Sequence, residues 1–503
     1  MSRRRGRPWA GALIVALAAM LLPVSASARA SCARSQHPGG EWRSYNHDLS
    51  NTRTQPDEKT IGLAEAATLQ PVWQFDTENG DDVSGTPVIA DGCLYFGGIG
   101  GLVFALNADT GELVWKSKVK GGVNSSVAVE DGKIYATTSR TSKPGVAALD
   151  QATGRVLWEV QIDDQPGSDV YASPVYFDDM VFSGWSGGSA ELGDEADRYA
   201  FQGGFVVLDA DTGRLLKKTY SIRQPDENPE KPKDDFAGGA IWATPAIDEK
   251  TGFAYVGAGN PFRPQAEHKH TNAILKIDLN RGSSTFGEIV DSYKGTPDEY
   301  VPGWDQLPCF DIPGNPAPYY PQGIGECGDL DMDFGSSPNL FKVDGKTMLG
   351  EGQKSGIYHV VDAGTMKREW TQIVGPPSAV GGIVGSTAYD DGAVFGPITV
   401  GGYLWSLDGA SGTPRWFAES VDGAHWANPV TVANGVVYTS DLKGFLNAYD
   451  AATGLQVLAT PMWIAGEGLK ATWGGVSVAR NTVYAAIGTL GTNGQVVAYR
   501  PAG

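Results

Sequence analysis

No sustained helical period runs through the 503 residues, and charged side chains make up only 19 % of them. Helical bundles and coiled coils are excluded by that pattern. There is no CxxCH, so the chain carries no covalently attached c-type haem of its own. Glycine-rich phosphate loops, G-x-S-x-G elbows and zinc-type Cys/His spacings are absent as well, which removes the commonest nucleotide, serine-hydrolase and zinc chemistries. Positive charge is scarce. Lys and Arg number 39 against 58 Asp and Glu, a net charge of −19, or −24 once the five arginines before Ser31 are set aside. Nucleic acid and anionic membrane surfaces are poor partners for so acidic a surface. The one long apolar run, residues 10–22, is short for a bilayer span.

What is present begins with a leader. Arg3, Arg4, Arg5 and Arg7 precede that apolar run, and Ala28-Arg29-Ala30 gives a small-x-small cleavage site. Residues 1–30 read as a signal peptide and residues 31–503 as one exported domain with no membrane span, secreted or on the outer side of the cell envelope. Four cysteines in an exported chain read as two disulfides, for which three pairings exist. Cys309 and Cys327 bracket a Pro/Gly-rich segment and point to each other, leaving Cys32 with Cys93 to tie the mature N-terminus to the first repeat.

Glycine (67) and proline (30) are abundant and punctuate a repeat. Each copy opens on a small-Pro or small-small pair, turns at Asp-Gly, runs through a Tyr/Val strand, reaches Ala-Leu-Asp, turns at Thr-Gly and ends on a strand that often carries Trp. The residue before the last turn falls at Asn107, Asp150, Asp209, Asp278, Asp362, Asp408 and Asp450, and an eighth copy at 496–499 lacks its final strand. Residues 72–75, ahead of the first copy, look like that strand. The expectation is an all-β, eight-bladed propeller closed by pairing of its N- and C-terminal strands, with Trp115, Trp158, Trp370 and Trp416 packing between blades. Marker spacings of 43, 59, 69, 84, 46 and 42 place insertions in three middle copies, around 184–202, 261–272 and 295–328. Long loops grown on some blades only gather at one end of a ring, where function sits.

One inserted stretch, CGDLDMDFGSSP, sets Asp329, Asp331 and Asp333 between Cys327 and a strand. Together with the repeat it resembles the propellers of pyrroloquinoline-quinone (PQQ) alcohol dehydrogenases. GGSAE (187–191) is similar to the family's GGAE, IWATPAID with AYVGAGNP to its stacking-Trp and GTGNP segments, DMDFGSSPNL to its Asp-Tyr-Asp pattern, and GQKSGIYHVVD to its PKNGFFYVLD. Polyvinyl-alcohol dehydrogenase-like members share the Cys-Pro-rich-Cys insertion. The resemblance implies Asp331 as general base; Glu191, Asn260, Asp331 and Asp333 around a Ca²⁺ or lanthanide ion; and Trp242 and Lys354 on the quinone. Trp473, in TWGGVSV, opens the last copy at a central-channel position and is read from that place as a further residue of the cofactor pocket. Glu195 competes with Glu191 for the metal role. Ser125 stands where many members place an Arg, Ser84 where they place an acid, and their adjacent-cysteine pair is missing.

The implied activity is oxidation of an alcohol, polymeric or secondary, by hydride transfer to PQQ, with electrons leaving to a separate acceptor such as a cytochrome c. The alternative is a non-catalytic propeller similar to outer-membrane assembly lipoproteins, without their lipobox. His268 and His270 in AEHKH have a metal-compatible spacing, but no third ligand accompanies them and they read as a solvated loop.

Overall fold

A computed structural model describes residues 31–32, 38–78, 81–139, 143–191, 193–222, 236–265, 267–298, 332–377, 381–399, 402–419, 428–464, 468–469, 474–488 and 493–503. Eight blades of four antiparallel strands follow one another along the chain, the seventh extended by Thr54–Gln55 running parallel to Thr431–Ala433. The first four have their innermost strands at Val88–Ala90, Ala128–Glu130, Val175–Phe177 and Ala246–Asp248, and the rest at Asn339–Val343, Ala388–Asp390, Thr431–Ala433 and Val476–Ala479. The eighth sheet takes its outer strand from the other end of the chain: Leu69–Asp76 pairs antiparallel with Gln495–Pro501. The displaced strand at 72–75 therefore closes the ring as its sequence implied.

Local chemistry explains each blade. The first hairpin of seven blades turns on a dipeptide with both φ angles positive, Asp-Gly or Asn-Gly in five of them (Asp91-Gly92, Asp131-Gly132, Asp344-Gly345, Asp391-Gly392 and Asn434-Gly435) and Asp178-Asp179 and Arg480-Asn481 in the other two, the tight turn that matches strand twist. At the later turn the marker carboxylate caps the backbone, as in Thr153 N to Asp150 Oδ1 (2.9 Å) and Thr212 N to Asp209 Oδ1 (3.0 Å). The glycine that follows sits under the Trp of the preceding blade. A Cβ on Gly213 would lie 2.7 Å from the Trp158 ring, and Trp158 Nε1 donates to Ala210 O at 3.1 Å. Trp73, Trp115, Trp370 and Trp416 repeat that docking on Ala108, Gln151, Gly409 and Ala451. Each such contact is worth on the order of 1–3 kcal/mol.

The core is distributed in eight hydrophobic clusters, each joining two successive blades, the last joining the eighth to the first. One end of the axis is stoppered by residues 39–55. Their carbonyls accept N–H groups from the inner edges of six innermost strands: Ile89 to Trp42, Val129 to Arg43, Ile247 to Leu49, Leu340 to Ser50, Tyr389 to Thr52 and Val432 to Arg53, at 2.6–2.9 Å. Edge groups that would otherwise face the axis unpaired are satisfied this way. The stopper was not anticipated. The disulfide joins Cys32 to Cys93 as expected, whereas Cys309 and Cys327 lie outside the described residues.

His268 and His270 are buried rather than solvated. The insertion folds back on itself: Asp298 Oδ2 accepts the His268 N–H at 2.8 Å, the His268 Nδ1 accepts the His270 N–H at 3.1 Å, and the Phe236 ring packs 4.9 Å from His268. Among the described residues no helix is long and apolar enough to cross a membrane.

Candidate active site

The residues just ahead of the innermost strands face the axis, opposite the stopper, and line a cavity of about 510 Å³. Their backbones are locked blade to blade. Across the first six repeats the hydroxyl residue of the opening pair donates its N–H to the hydroxyl of the same residue one blade on: Thr86 to Ser126 (2.8 Å), Ser126 to Ser173 (3.0 Å), Ser173 to Thr244 (3.0 Å), Thr244 to Ser337 (3.2 Å) and Ser337 to Ser386 (3.1 Å). Tyr45 of the stopper reaches the same cavity and bonds Ser386 Oγ at 3.1 Å.

Three of the expected hard-oxygen residues meet at the rim. Glu191 ends the short helix Gly188–Glu191, Asn260 sits in the Gly-Asn-Pro turn after Phe253–Ala258, and Asp333 precedes Asn339–Val343. Asn260 Nδ2 lies 3.4 Å from Glu191 Oε1, and Asn260 N donates to Asp333 Oδ1 at 2.5 Å. All three are at most 5 % exposed. Asn260 Oδ1 is buried with no hydrogen-bond partner among the described residues. An orphaned amide carbonyl beside two carboxylates is costly unless a cation takes it up, so the donor set fits a hard metal ion. Glu195 lies on the exposed helix Glu195–Ala200, whereas Glu191 lines the cavity.

Trp242 and Lys354 converge on the same place. Lys354 Nζ is 3.1 Å from Asp333 Oδ2 and 5.3 Å from the centroid of the Trp242 ring. The indole leans on bare backbone, since a Cβ on Gly335 would come within 2.1 Å of it. Trp242 is half-buried and lines the cavity, a flat surface with a cation beside it. The described residues thus unite Trp242, Lys354, Glu191, Asn260 and Asp333. Asp331 and Trp473 lie outside the described residues.

Sequence reasoning missed Asp169 and Tyr171, which also line the cavity. Asp169 accepts from Ser139 Oγ and from Val170 N (2.8 Å). Burial raises its carboxyl above the usual range, against the lowering pull of Ser139, Val170 and the Tyr171 hydroxyl. Burial likewise raises the Tyr171 phenol, helped by the charges of Asp169 and Glu191. A lone acid in a loop offers no signal of its own; only the Asp169–Ser186 bridge, which ties it to the Glu191 loop, identifies its place.

Three comparisons with known proteins bear on this arrangement. The family model described as Outer membrane protein assembly factor BamB (PQQ_2) matches residues 57–295 and 353–503. A polyvinylalcohol dehydrogenase from Sphingopyxis sp. (strain 113P3) is 28 % identical over 452 residues, 82 % of this chain and 66 % of that protein. The chain thus spans just under two thirds of that relative's length. A quinohemoprotein alcohol dehydrogenase structure from Comamonas testosteroni superposes with TM-score 0.71 at 19 % identity, covering 93 % of this chain and 81 % of the other. A europium-containing methanol dehydrogenase also gives 0.71, at 17 % identity, covering 92 % and 98 %. At those identities the structural likeness speaks for the fold alone.

Proposed function

The chain belongs to the PQQ_2 propeller family, and from that membership and the cavity's donor set we propose that it is an exported quinoprotein dehydrogenase that oxidises an alcohol. The observation carrying this reading is the meeting of Glu191, Asn260, Asp333, Lys354 and Trp242, drawn from separate loops, around one cavity with an orphaned Asn260 Oδ1. When bound, PQQ with Ca²⁺ or a lanthanide ion supplies the two-electron acceptor for hydride.

The chain's own residues do the rest. Trp242 offers a flat apolar face to a planar ring, backed by Gly335 so that it cannot retreat. Lys354 places a buried cation beside that face and toward Asp333. Glu191, Asn260 and Asp333 would hold the metal through oxygen. Asp331, two residues before Asp333, is assigned the proton of the substrate hydroxyl. The stopper and the docked blades shut the far end of the axis, so alcohol enters from the side of the inserted loops. Residues 1–30 are assigned as the export signal of a single 31–503 domain. With no CxxCH, electrons leave to a separate acceptor such as a cytochrome c.

The test is reconstitution of the purified chain with PQQ and Ca²⁺ or La³⁺, followed by dye reduction with short alcohols, diols and polyvinyl alcohol. Metal-dependent turnover that is lost in Asp331→Ala is expected. Absence of quinone uptake with both metals would sink the reading in favour of a non-catalytic propeller. Turnover that survives Asp331→Ala would overturn the assignment of the base.

A further inference from the structure

At the base of the cavity the hydroxyls that lock the blades have protons to spare. Ser126, Ser173, Thr244 and Ser337 each accept one backbone N–H, and among the described residues none has an acceptor for its own O–H. All four are buried and all four line the cavity. A hydroxyl that accepts an N–H is polarised toward donating, so this is a convergent set of neutral donors.

Beneath them lies a cation. Arg53 is fully buried, and its contacts go to neutral oxygens: Val430 O (2.7 Å), Tyr45 O (2.5 Å), Asn46 Oδ1 (3.3 Å), Thr431 Oγ1 (2.9 Å) and Val476 O (3.3 Å). Its guanidinium stands 5.0 Å from the ring of Tyr45, which lines the cavity. Among the described residues no carboxylate pairs with it. A buried charge balanced only by dipoles leaves a net positive field on the cavity base.

The side wall is different. Ser125 Oγ lies 2.5 Å from Thr137 Oγ1, and Thr137 donates to Ala172 O at 2.9 Å, so the Ser125 proton is committed to Thr137. Ser84 donates to Asn124 O at 3.1 Å, and Ser139 to Asp169. That wall presents oxygen lone pairs, and the unspent donors are at the base.

We propose that the base of the axial cavity is a carboxylate-binding subsite, in which the hydroxyl protons of Ser126, Ser173, Thr244 and Ser337 hold the anion over the field of Arg53. If the proposed function holds, the carboxylate is one of the quinone's, and this subsite does the work for which Ser125 is unsuited. A free small organic acid offers the same chemistry.

Calorimetric titration of the full chain separates the sources. Without metal, oxalate is the probe; with Ca²⁺, PQQ and its trimethyl ester are compared. Oxalate is expected to bind once per chain and to weaken about tenfold or more in Thr244→Val and in Ser337→Ala, with Ser337→Thr restoring it. The same variants should weaken PQQ but not the triester. Ser337→Thr controls for packing, and a cooperative melt of each variant shows that it is folded. If the wild type ignores oxalate, or Thr244→Val binds oxalate and PQQ as the wild type does, the subsite is refuted. PQQ bound equally by all variants refutes the subsite and leaves the enzyme reading standing. Variant-sensitive oxalate binding with no uptake of PQQ upholds the subsite and removes the quinone from it.

Discussion

Replacing Lys354 with methionine removes a cation that stands 3.1 Å from Asp333 Oδ2, where 3 % and 7 % of the two side chains are exposed. At that depth a broken ion pair costs about 3–5 kcal/mol, because the remaining charge loses its counter-ion without gaining water. Unfolding entropy for a chain of this length is roughly 1 kcal/mol per kelvin, so the melting midpoint should fall by about 3–5 °C. Adding Asp333→Asn to Lys354→Met removes both members of this ion pair and keeps an oxygen for the Asn260 N–H, so the double variant should regain at least half of the loss. La³⁺ should also raise the midpoint of Lys354→Met by more than that of the wild type, since it restores positive charge beside Asp333. Differential scanning calorimetry with and without La³⁺ reads all three. A single variant within about 1 °C of wild type, or a double variant less stable than the single, would refute the reasoning.

Burial holds the His268 imidazole down at about 4 and His359 at about 3, so neither accepts a proton in the folded chain at pH values where the unfolded chain does. Stability is full above about pH 6.5 and falls as pH drops toward 4; His268 alone costs roughly 3 kcal/mol across that window. Denaturant titrations should show the fall, and His268→Asn should flatten it. Gly213→Ala and Gly345→Ala both force a left-handed φ, but only the first meets a Trp ring. Gly345→Ala should lose about 1 kcal/mol and Gly213→Ala clearly more in urea unfolding. Cys32→Ser with Cys93→Ser opens a loop of 61 residues and should cost about 4 kcal/mol, read as a lower melting midpoint than that of the oxidised wild type.

The blades were legible because their signals are local. The Asp-Gly turns, the capped Thr-Gly turns and the Trp residues each act within a few positions, and the displaced strand at 72–75 matched a gap at the other end of the chain. The stopper was not legible. Residues 39–55 carry no period, and their partners lie as far along the chain as Arg480, whose N–H donates to Gly39 O. Glu191, Asn260, Trp242 and Lys354 were found through resemblance to family motifs, since taken singly each reads as a turn or core residue. The donors at the cavity base were hidden for a related reason: Ser173, Thr244 and Ser337 stand in small-Pro pairs that read as turn formers, and only closure of the ring turns them toward one another. The AEHKH loop was misjudged because its burial depends on Lys294 and Asp298, supplied from the end of the strand Ile289–Lys294 and the loop after it.

The central claim is that Glu191, Asn260 and Asp333 hold a metal ion beside a quinone stacked on Trp242. Equilibrium dialysis of the metal-free chain against PQQ and Ca²⁺ or La³⁺ tests it most directly. The account predicts one quinone and one cation retained together per chain, with both affinities falling in Asn260→Ala. Quinone retained equally well in the presence of chelator, or cation uptake indifferent to Asn260→Ala, would contradict it.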